Sequence, residues 1–385
     1  MIVLPQFSHR CVVNGRSSGL VDLANSVIIP GPSETSLVCM RKTKQFVLYF
    51  VTILIGAALA FLLGEVVLRI YQYGNPVFVF PDRSYNRFRG KPYAADYSFK
   101  LNSHGFKDVE FQLTKQPGHV RILGIGDSFL FGVVPYEYNF LTLLEDRLKR
   151  QGRPVEVINM GIPGTSPRDY LAIYFHEGLE LNADMVLVGL FVGNDFDTPP
   201  HFQSYVVSLI RFFTAARKHW NGNIIHVGKE YHDGEETMSE SKYLEIEAAR
   251  SKIFRKSNPA FEGVLRDTVS YLEVMHDLCR RRHSNLLVVV IPDELQVNRD
   301  LQKKIMEQVQ LSATDEWDFR LPNRILSMEL QKRGIVFIDL LDTFQAMSTK
   351  QVLYRRQDSH WNIAGNQIAA EALAERLSSI LDDAR

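Results

Sequence analysis

Val120-Arg121-Ile122-Leu123-Gly124-Ile125-Gly126-Asp127-Ser128-Phe129-Leu130-Phe131-Gly132 is a short apolar run that breaks into a glycine-punctuated turn carrying one serine. An apolar run of about four to eight residues bounded by turn signals has the length of a buried strand. The glycines flanking the turn let the chain bend sharply there. Phe140, Leu141, Leu144 and Leu148 then recur at helical spacing and Gly152 supplies a stop, so a helix returns from the strand. Ser128 therefore falls at the carboxyl end of a strand, where open α/β sheets bind their ligands. A serine after Gly126-Asp127 also has a plain reading as a turn residue, because Asp and Ser side chains bond their own backbone.

Three later stretches add weight to reading Ser128 as a nucleophile delivered by the strand. Val155-Glu156-Val157-Ile158 runs into Asn159-Met160-Gly161-Ile162-Pro163-Gly164, and Met185 to Val192 runs into Gly193-Asn194-Asp195. Asp358-Ser359-His360-Trp361-Asn362 lies just before the last helical pattern, from about Ile363 to Leu381. In order and spacing these stretches resemble the four signature blocks of the SGNH (GDSL-like) hydrolase superfamily, over residues 119–382. The resemblance implies a three-layer, flavodoxin-like α/β fold with a central parallel sheet and an ester-hydrolysing activity. Strand patterns near 120–125, 154–158, 185–192, 285–291 and 335–339 alternate with helical ones such as Tyr170 to Glu177 and Phe261 to Arg282, which argues independently for a parallel sheet covered on both faces.

A serine hydroxyl attacks an acyl carbonyl only once a base takes its proton, and an imidazole suits that role at neutral pH. His360 is the candidate base and Asp358, two residues earlier, the candidate acceptor that orients it. The plain alternative makes Asp358 or Asn362 the cap of the following helix. Negative charge building on the carbonyl oxygen needs preplaced donors. The resemblance implies the backbone amides of Ser128 and Gly164 and the side-chain amide of Asn194, with Gly161 competing for the place of Gly164. One departure stands out. The family usually separates aspartate from histidine by two residues, which would put Gln357 in the aspartate position, whereas here only Ser359 intervenes. Asp358-Ser359-His360-Trp361 looks more like the branch that includes polysaccharide O-acetyltransferases. Hydrolysis, O-acyl transfer to envelope polysaccharide and non-catalytic glycan binding are thus the three functions to separate.

Basic and acidic residues balance at 44 each, which gives no electrostatic reason to expect a nucleic-acid partner. The three cysteines, Cys11, Cys39 and Cys279, are too scattered for a disulfide framework or a zinc site. Asp195 and Asp197 offer too few carboxylates for a calcium loop, and no metal or organic cofactor is expected.

Residues 46–64 carry no charge, and about 20 such residues cross a bilayer as a helix. Arg41, Lys42 and Lys44 precede them, so the positive-inside bias keeps the amino end cytoplasmic and exports the rest. A cleavable signal peptide is the competing reading. The expected division is a disordered or cytoplasmic tail over 1–45, a membrane helix over 46–68, a linking approach segment over 69–118, and an SGNH-type domain over 119–385 with an insertion at 197–260. Met40 heads a basic-then-apolar run and is a candidate true start. The approach segment contains Asn102-Ser103-His104-Gly105-Phe106-Lys107-Asp108, and members of the membrane-anchored branch often show a similar Asn-x-x-Gly-Phe stretch. His104 there reads as a structural loop residue. An ester or O-acylated substrate, polysaccharide or lipid, is the expected partner; its identity and the oligomeric state are not written in the sequence. The insertion and the irregular stretch 293–323 are the expected seat of selectivity.

Overall fold

A computed structural model of the protein describes residues 34–74, 92–196, 206, 229–311 and 315–383. Helix α1 spans Glu34–Gly74, and within it Lys42–Leu68 is long and apolar enough to cross a membrane. The helix thus begins inside the segment expected to be unstructured, because each residue added to an existing helix gains a hydrogen bond without a new nucleation cost. Residues 1–33, most of the expected amino-terminal tail, lie outside the described ones.

The sheet has five strands: β1 (Val120–Ile125), β2 (Val155–Asn159), β3 (Met185–Phe191), β4 (Asn285–Ile291) and β5 (Val336–Asp339), each within a residue of its expected bounds. Their spatial order is β2-β1-β3-β4-β5 and every pairing is parallel. The chain starts in the interior of the sheet, moves one way to β2, then crosses back over β1 to β3. The carboxyl ends of β1 and β3 therefore flank the switch point at which such sheets open a crevice.

Successive strand residues point to opposite faces. Ile122, Met185, Leu187, Leu287 and Val289 pack under α3 (Phe140–Arg150), α10 (Leu341–Ser348) and α11 (Ile363–Asp383). Leu123, Val186, Val188, Leu190 and Val288 face α4 (Pro167–His176), α6 (Pro259–Arg281) and α9 (Leu321–Lys332) on the other side. This is the three-layer arrangement expected of an SGNH-type domain.

A single turn of helix, α2 (Ser128–Phe131), sits over the switch point. It comes that close because Leu130, fully buried, fills space that side chains on β3 and the β2 loop would otherwise occupy. A Cβ on Gly189 would lie 2.0 Å from Leu130 Cδ1, and one on Gly161 would lie 2.3 Å from the backbone nitrogen of Phe131.

Chain on the amino side of the expected boundary at residue 119 also packs with the sheet domain. Residues 95–108 are packed into the domain: Ala95–Asp96 pairs antiparallel with Phe99–Lys100, and Leu101 and Phe106 are buried. Lys107 forms an ion pair with Asp96 at 2.5 Å, both side chains fully enclosed. Its ammonium also donates to the carbonyls of Gly132 (2.8 Å) and Val134 (2.6 Å), just after α2. A polar, aromatic-spotted stretch looks like a linker until its charges find partners far along the chain. Of the inserted segment, 197–205 and 207–228 fall outside the described residues. The remainder forms α5 (Glu240–Arg250) and a 3-10 turn, Ser251–Phe254. The irregular stretch after β4 begins with α7 (Glu294–Val297) and α8 (Arg299–Gln308).

Removing one member of an enclosed ion pair leaves the other charged and unpaired, a cost of about 3–5 kcal/mol. Lys107→Met should accordingly lower the melting temperature of the detergent-solubilised protein by many degrees. An unchanged melting curve would mean that residues 95–108 contribute nothing to the domain.

Candidate active site

The turn that carries Ser128 is held from both ends. Asp127 precedes α2 and its Oδ1 accepts from the Phe129 N–H at 2.9 Å, capping the turn. Ser128 opens the helix, where backbone N–H groups have no intrahelical acceptor. Phe129 then packs against Phe191 at the end of β3 (centroids 4.3 Å apart) and edge-on to Trp361 (5.1 Å).

Trp361 belongs to the second element of the site, the tight loop 354–361. Tyr354 and Trp361 form an antiparallel bridge, and the Arg355 N–H donates to the His360 carbonyl at 2.9 Å. Gln357, at the tip, takes φ +51°, a left-handed conformation uncommon outside glycine. This hairpin turns Asp358 back beneath His360. The carboxylate Oδ1 receives the imidazole Nδ1–H at 2.6 Å and the His360 backbone N–H at 3.1 Å. On the other side of the ring, Nε2 lies 2.7 Å from Ser128 Oγ. A carboxylate at Nδ1 requires the proton there, which leaves the Nε2 lone pair to accept from the serine hydroxyl.

The residue at the usual aspartate position, Gln357, is not the imidazole's partner; Asp358 is. Nor is Asp358 the helix cap, since Asn362 does that work, accepting from Gly365 N–H at 2.9 Å and donating to the Val352 carbonyl. Burial opposes the Asp358 charge, but the neighbouring imidazole, its hydrogen bonds and the Arg355 guanidinium outweigh it and hold the carboxyl down at about 2. The Asp358 side chain is 5% exposed and that of His360 24%, so the imidazole is open to solvent and the carboxylate is not.

Asn194 stands in the turn after β3, fixed by Asp195. The Asp195 carboxyl accepts from the Phe191 N–H and the Tyr170 hydroxyl, each at 2.8 Å. Burial pushes that carboxyl well above its ordinary range. Both oxygens are thereby engaged in structure, and Asp197 lies outside the described residues. The Asn194 amide donates to Asp127 Oδ2 at 3.1 Å, so one carboxyl caps the nucleophile turn and orients the third block. The two glycines of the second block differ in surroundings. The Gly161 N–H is taken by the Asn159 side chain at 2.9 Å, whereas Gly164, exposed and at φ +74°, lies in the loop that Thr165 ties to the Gly126 and Ile162 carbonyls. His104 stacks on Phe111 as a loop residue.

Several contacts here had no signal in the sequence. Asp108 closes the site's floor by accepting from Asn159 N–H (2.7 Å) and the Tyr136 hydroxyl (3.1 Å). Burial outweighs those donors and pushes its carboxyl up to about 7. Thr237, from the inserted segment, donates to Asp358 Oδ2 at 2.9 Å.

Fold and site together make an SGNH-like α/β domain with a central five-stranded parallel sheet. Residues 255–383 match the family model described as "SGNH hydrolase-like domain, acetyltransferase AlgX"; the match includes the Asp358-Ser359-His360-Trp361 block and leaves out the three earlier ones. No curated protein matches the chain. Similar solved structures include the acetyl xylan esterase AlAXEase, at 15% identity and a TM-score of 0.39, covering 67% of this chain and 100% of that one. TesA stands at 13% identity and 0.40, covering 67% and 98%. Axe2, an acetylxylan esterase from Geobacillus stearothermophilus, stands at 14% and 0.38, covering 67% and 94%.

If Asp358 fixes the imidazole tautomer, Asp358→Asn should keep the melting temperature close to that of the wild type while turnover falls by up to about 10⁴-fold. Gln357→Ala, measured beside it, should retain turnover. Full activity in Asp358→Asn would remove the carboxylate from the mechanism.

Proposed function

We propose that the domain is a serine-dependent enzyme that opens carboxylic esters through an acyl-Ser128 intermediate and, with water as acceptor, acts as an esterase. The observation that carries this reading is the unbroken chain Asp358, His360, Ser128, with links of 2.6 and 2.7 Å. In the first half-reaction Ser128 Oγ attacks the acyl carbonyl while His360 Nε2 takes the hydroxyl proton. The oxyanion is met by the Ser128 and Gly164 N–H groups and the Asn194 amide, each donor contributing about 3–4 kcal/mol. Collapse breaks the ester C–O bond, and the leaving alcohol receives the proton from His360. In the second half-reaction the base deprotonates water, which attacks the acyl-serine and releases the acid.

A second reading has its own support. The match of residues 255–383 to a family described as an acetyltransferase favours a sugar hydroxyl over water as acceptor. The acyl group would then be acetyl and the product an O-acetylated glycan. The apolar helix Lys42–Leu68, uncharged over 46–64 and with Arg41, Lys42 and Lys44 at its amino end, supports anchoring by one span with the domain outside the cytoplasm.

A fluorophosphonate probe should label the wild type at Ser128 and leave Ser128→Ala unlabelled; equal labelling of both would remove the nucleophile. On the unlabelled wild-type enzyme, release of nitrophenol from nitrophenyl acetate separates the two acceptors. Acceleration by added oligosaccharide, with acetyl appearing on the sugar, favours transfer, and indifference to sugar favours hydrolysis.

A further inference from the structure

The inserted segment makes a series of contacts that converge on one short stretch of chain. Asp233 Oδ1 accepts from the Ile363 N–H at 3.2 Å. Glu236 pairs with Arg356 at 2.8 Å, and the Thr237 N–H donates to the Arg356 carbonyl at 3.3 Å. Tyr231 lies under the Arg355 guanidinium, 5.5 Å from its ring centre. Thr237 Oγ1 donates to Asp358 Oδ2 at 2.9 Å, and Arg250 donates to Ser359 Oγ at 2.7 Å. Every partner falls within residues 355–363, the hairpin that carries Asp358 and His360. Except for the Arg250 contact, all come from residues 231–237, a stretch without helix or strand of its own.

The two contacts nearest the chemistry differ in kind. Asp358 uses Oδ1 for the imidazole, so its rotation about the carboxyl axis is set by what holds Oδ2: the Thr237 hydroxyl and, at 3.5 Å, the Arg355 guanidinium. Ser359 is the one residue between Asp358 and His360. Its hydroxyl is fixed by a guanidinium that is itself anchored to Glu247, whose side chain is fully enclosed, at 2.9 Å, and lies over the Phe191 ring. With the aspartate and histidine only two residues apart, a small tilt of this loop moves both at once.

We propose that residues 231–250 form a strap that sets the geometry of the Asp358-Ser359-His360 loop, with Thr237 and Arg250 as positioning residues for the Ser128 reaction. The proposal rests on the serine-esterase reading above. Neither side chain touches the reacting atoms; each acts through the loop. Thr237 disperses part of the Asp358 charge, and Arg250 sets a cation beside the base, so loss of either should stabilise the imidazolium and move the acid limb of the pH profile upward. The other charged or titratable groups facing this loop are Arg355, Arg356, Asp127, Tyr97, Tyr231, Asp233, Glu236, Glu247 and Glu294; Thr237→Val leaves all of them in place, whereas Arg250→Met also removes the partner of Glu247 and a cation that acts on Asp127.

The test uses the full-length protein in detergent, with active sites counted by fluorophosphonate titration and turnover expressed per titrated serine. Thr237→Val and Arg250→Met should each lower kcat roughly ten- to hundredfold, the scale of one hydrogen bond to a charged group. KM for an aryl acetate should stay unchanged and the acid limb of kcat/KM should rise. Thr237→Ser should recover most of the loss because it restores the donor. Thr237 is exposed, so Thr237→Val is a surface change that keeps the side-chain shape. A strap that only stabilised the fold would lower the melting temperature and leave kcat per site and the acid limb where they were; that result overturns the proposal. A wild type that does not take the probe overturns the esterase reading, and this inference with it.

Discussion

Leu130 pressed into the space left by glycines on β3 and the β2 loop is the packing contact on which the rest of the site depends. It draws α2 down onto the carboxyl ends of β1 and β3 until backbone nearly meets backbone. Ser128 and Phe129 follow from it, because they flank Leu130 on the same turn. Phe129 in turn supplies the surface that Trp361 abuts, and Trp361 closes the hairpin that carries His360. A hydrogen bond between residues 232 apart in sequence thus descends from the way one leucine is seated. Interiors as dense as crystals allow that, since a shift at one member is passed to the next instead of being absorbed.

Around this apolar seat the protein encloses an unusual number of ionisable groups. Asp127, Asp108 and Asp195 are all buried, and burial pushes each carboxyl upward. Their common feature is that each accepts a backbone N–H at the end of a strand or the start of a turn: Phe129 for Asp127, Asn159 for Asp108 and Phe191 for Asp195. Asp358 is the exception in direction. Only there do an imidazole and a guanidinium outweigh burial, and only there is a full negative charge useful.

The strands and the blocks at their ends were legible because both signals are local. An apolar run of fixed length names a strand, and a glycine, serine or asparagine just beyond it names a turn. The pairing of Asp358 with His360 was legible for the same reason, both lying on one short loop. What could not be read shares the opposite character. Asp96 and Lys107 are close in sequence, but what makes them part of the domain is the Lys107 ammonium reaching carbonyls at 132 and 134. Thr237 meets Asp358 across 121 positions. No property of Thr237 or its neighbours distinguishes it from any polar loop residue until the two stretches are folded against each other.

The separation of Ser128 from His360 bears on when the protein becomes reactive. Loop-closure entropy disfavours distant contacts in a chain that has not yet collapsed, and topologies rich in distant pairings form slowly. The hydroxyl follows the first strand of the sheet and the imidazole follows the last, so every strand between them is traversed before the two can meet. In the chain before collapse Ser128 is therefore an ordinary alcohol, and its contact with the imidazole coincides with completion of the fold. That hydrogen bond is a readout of global folding.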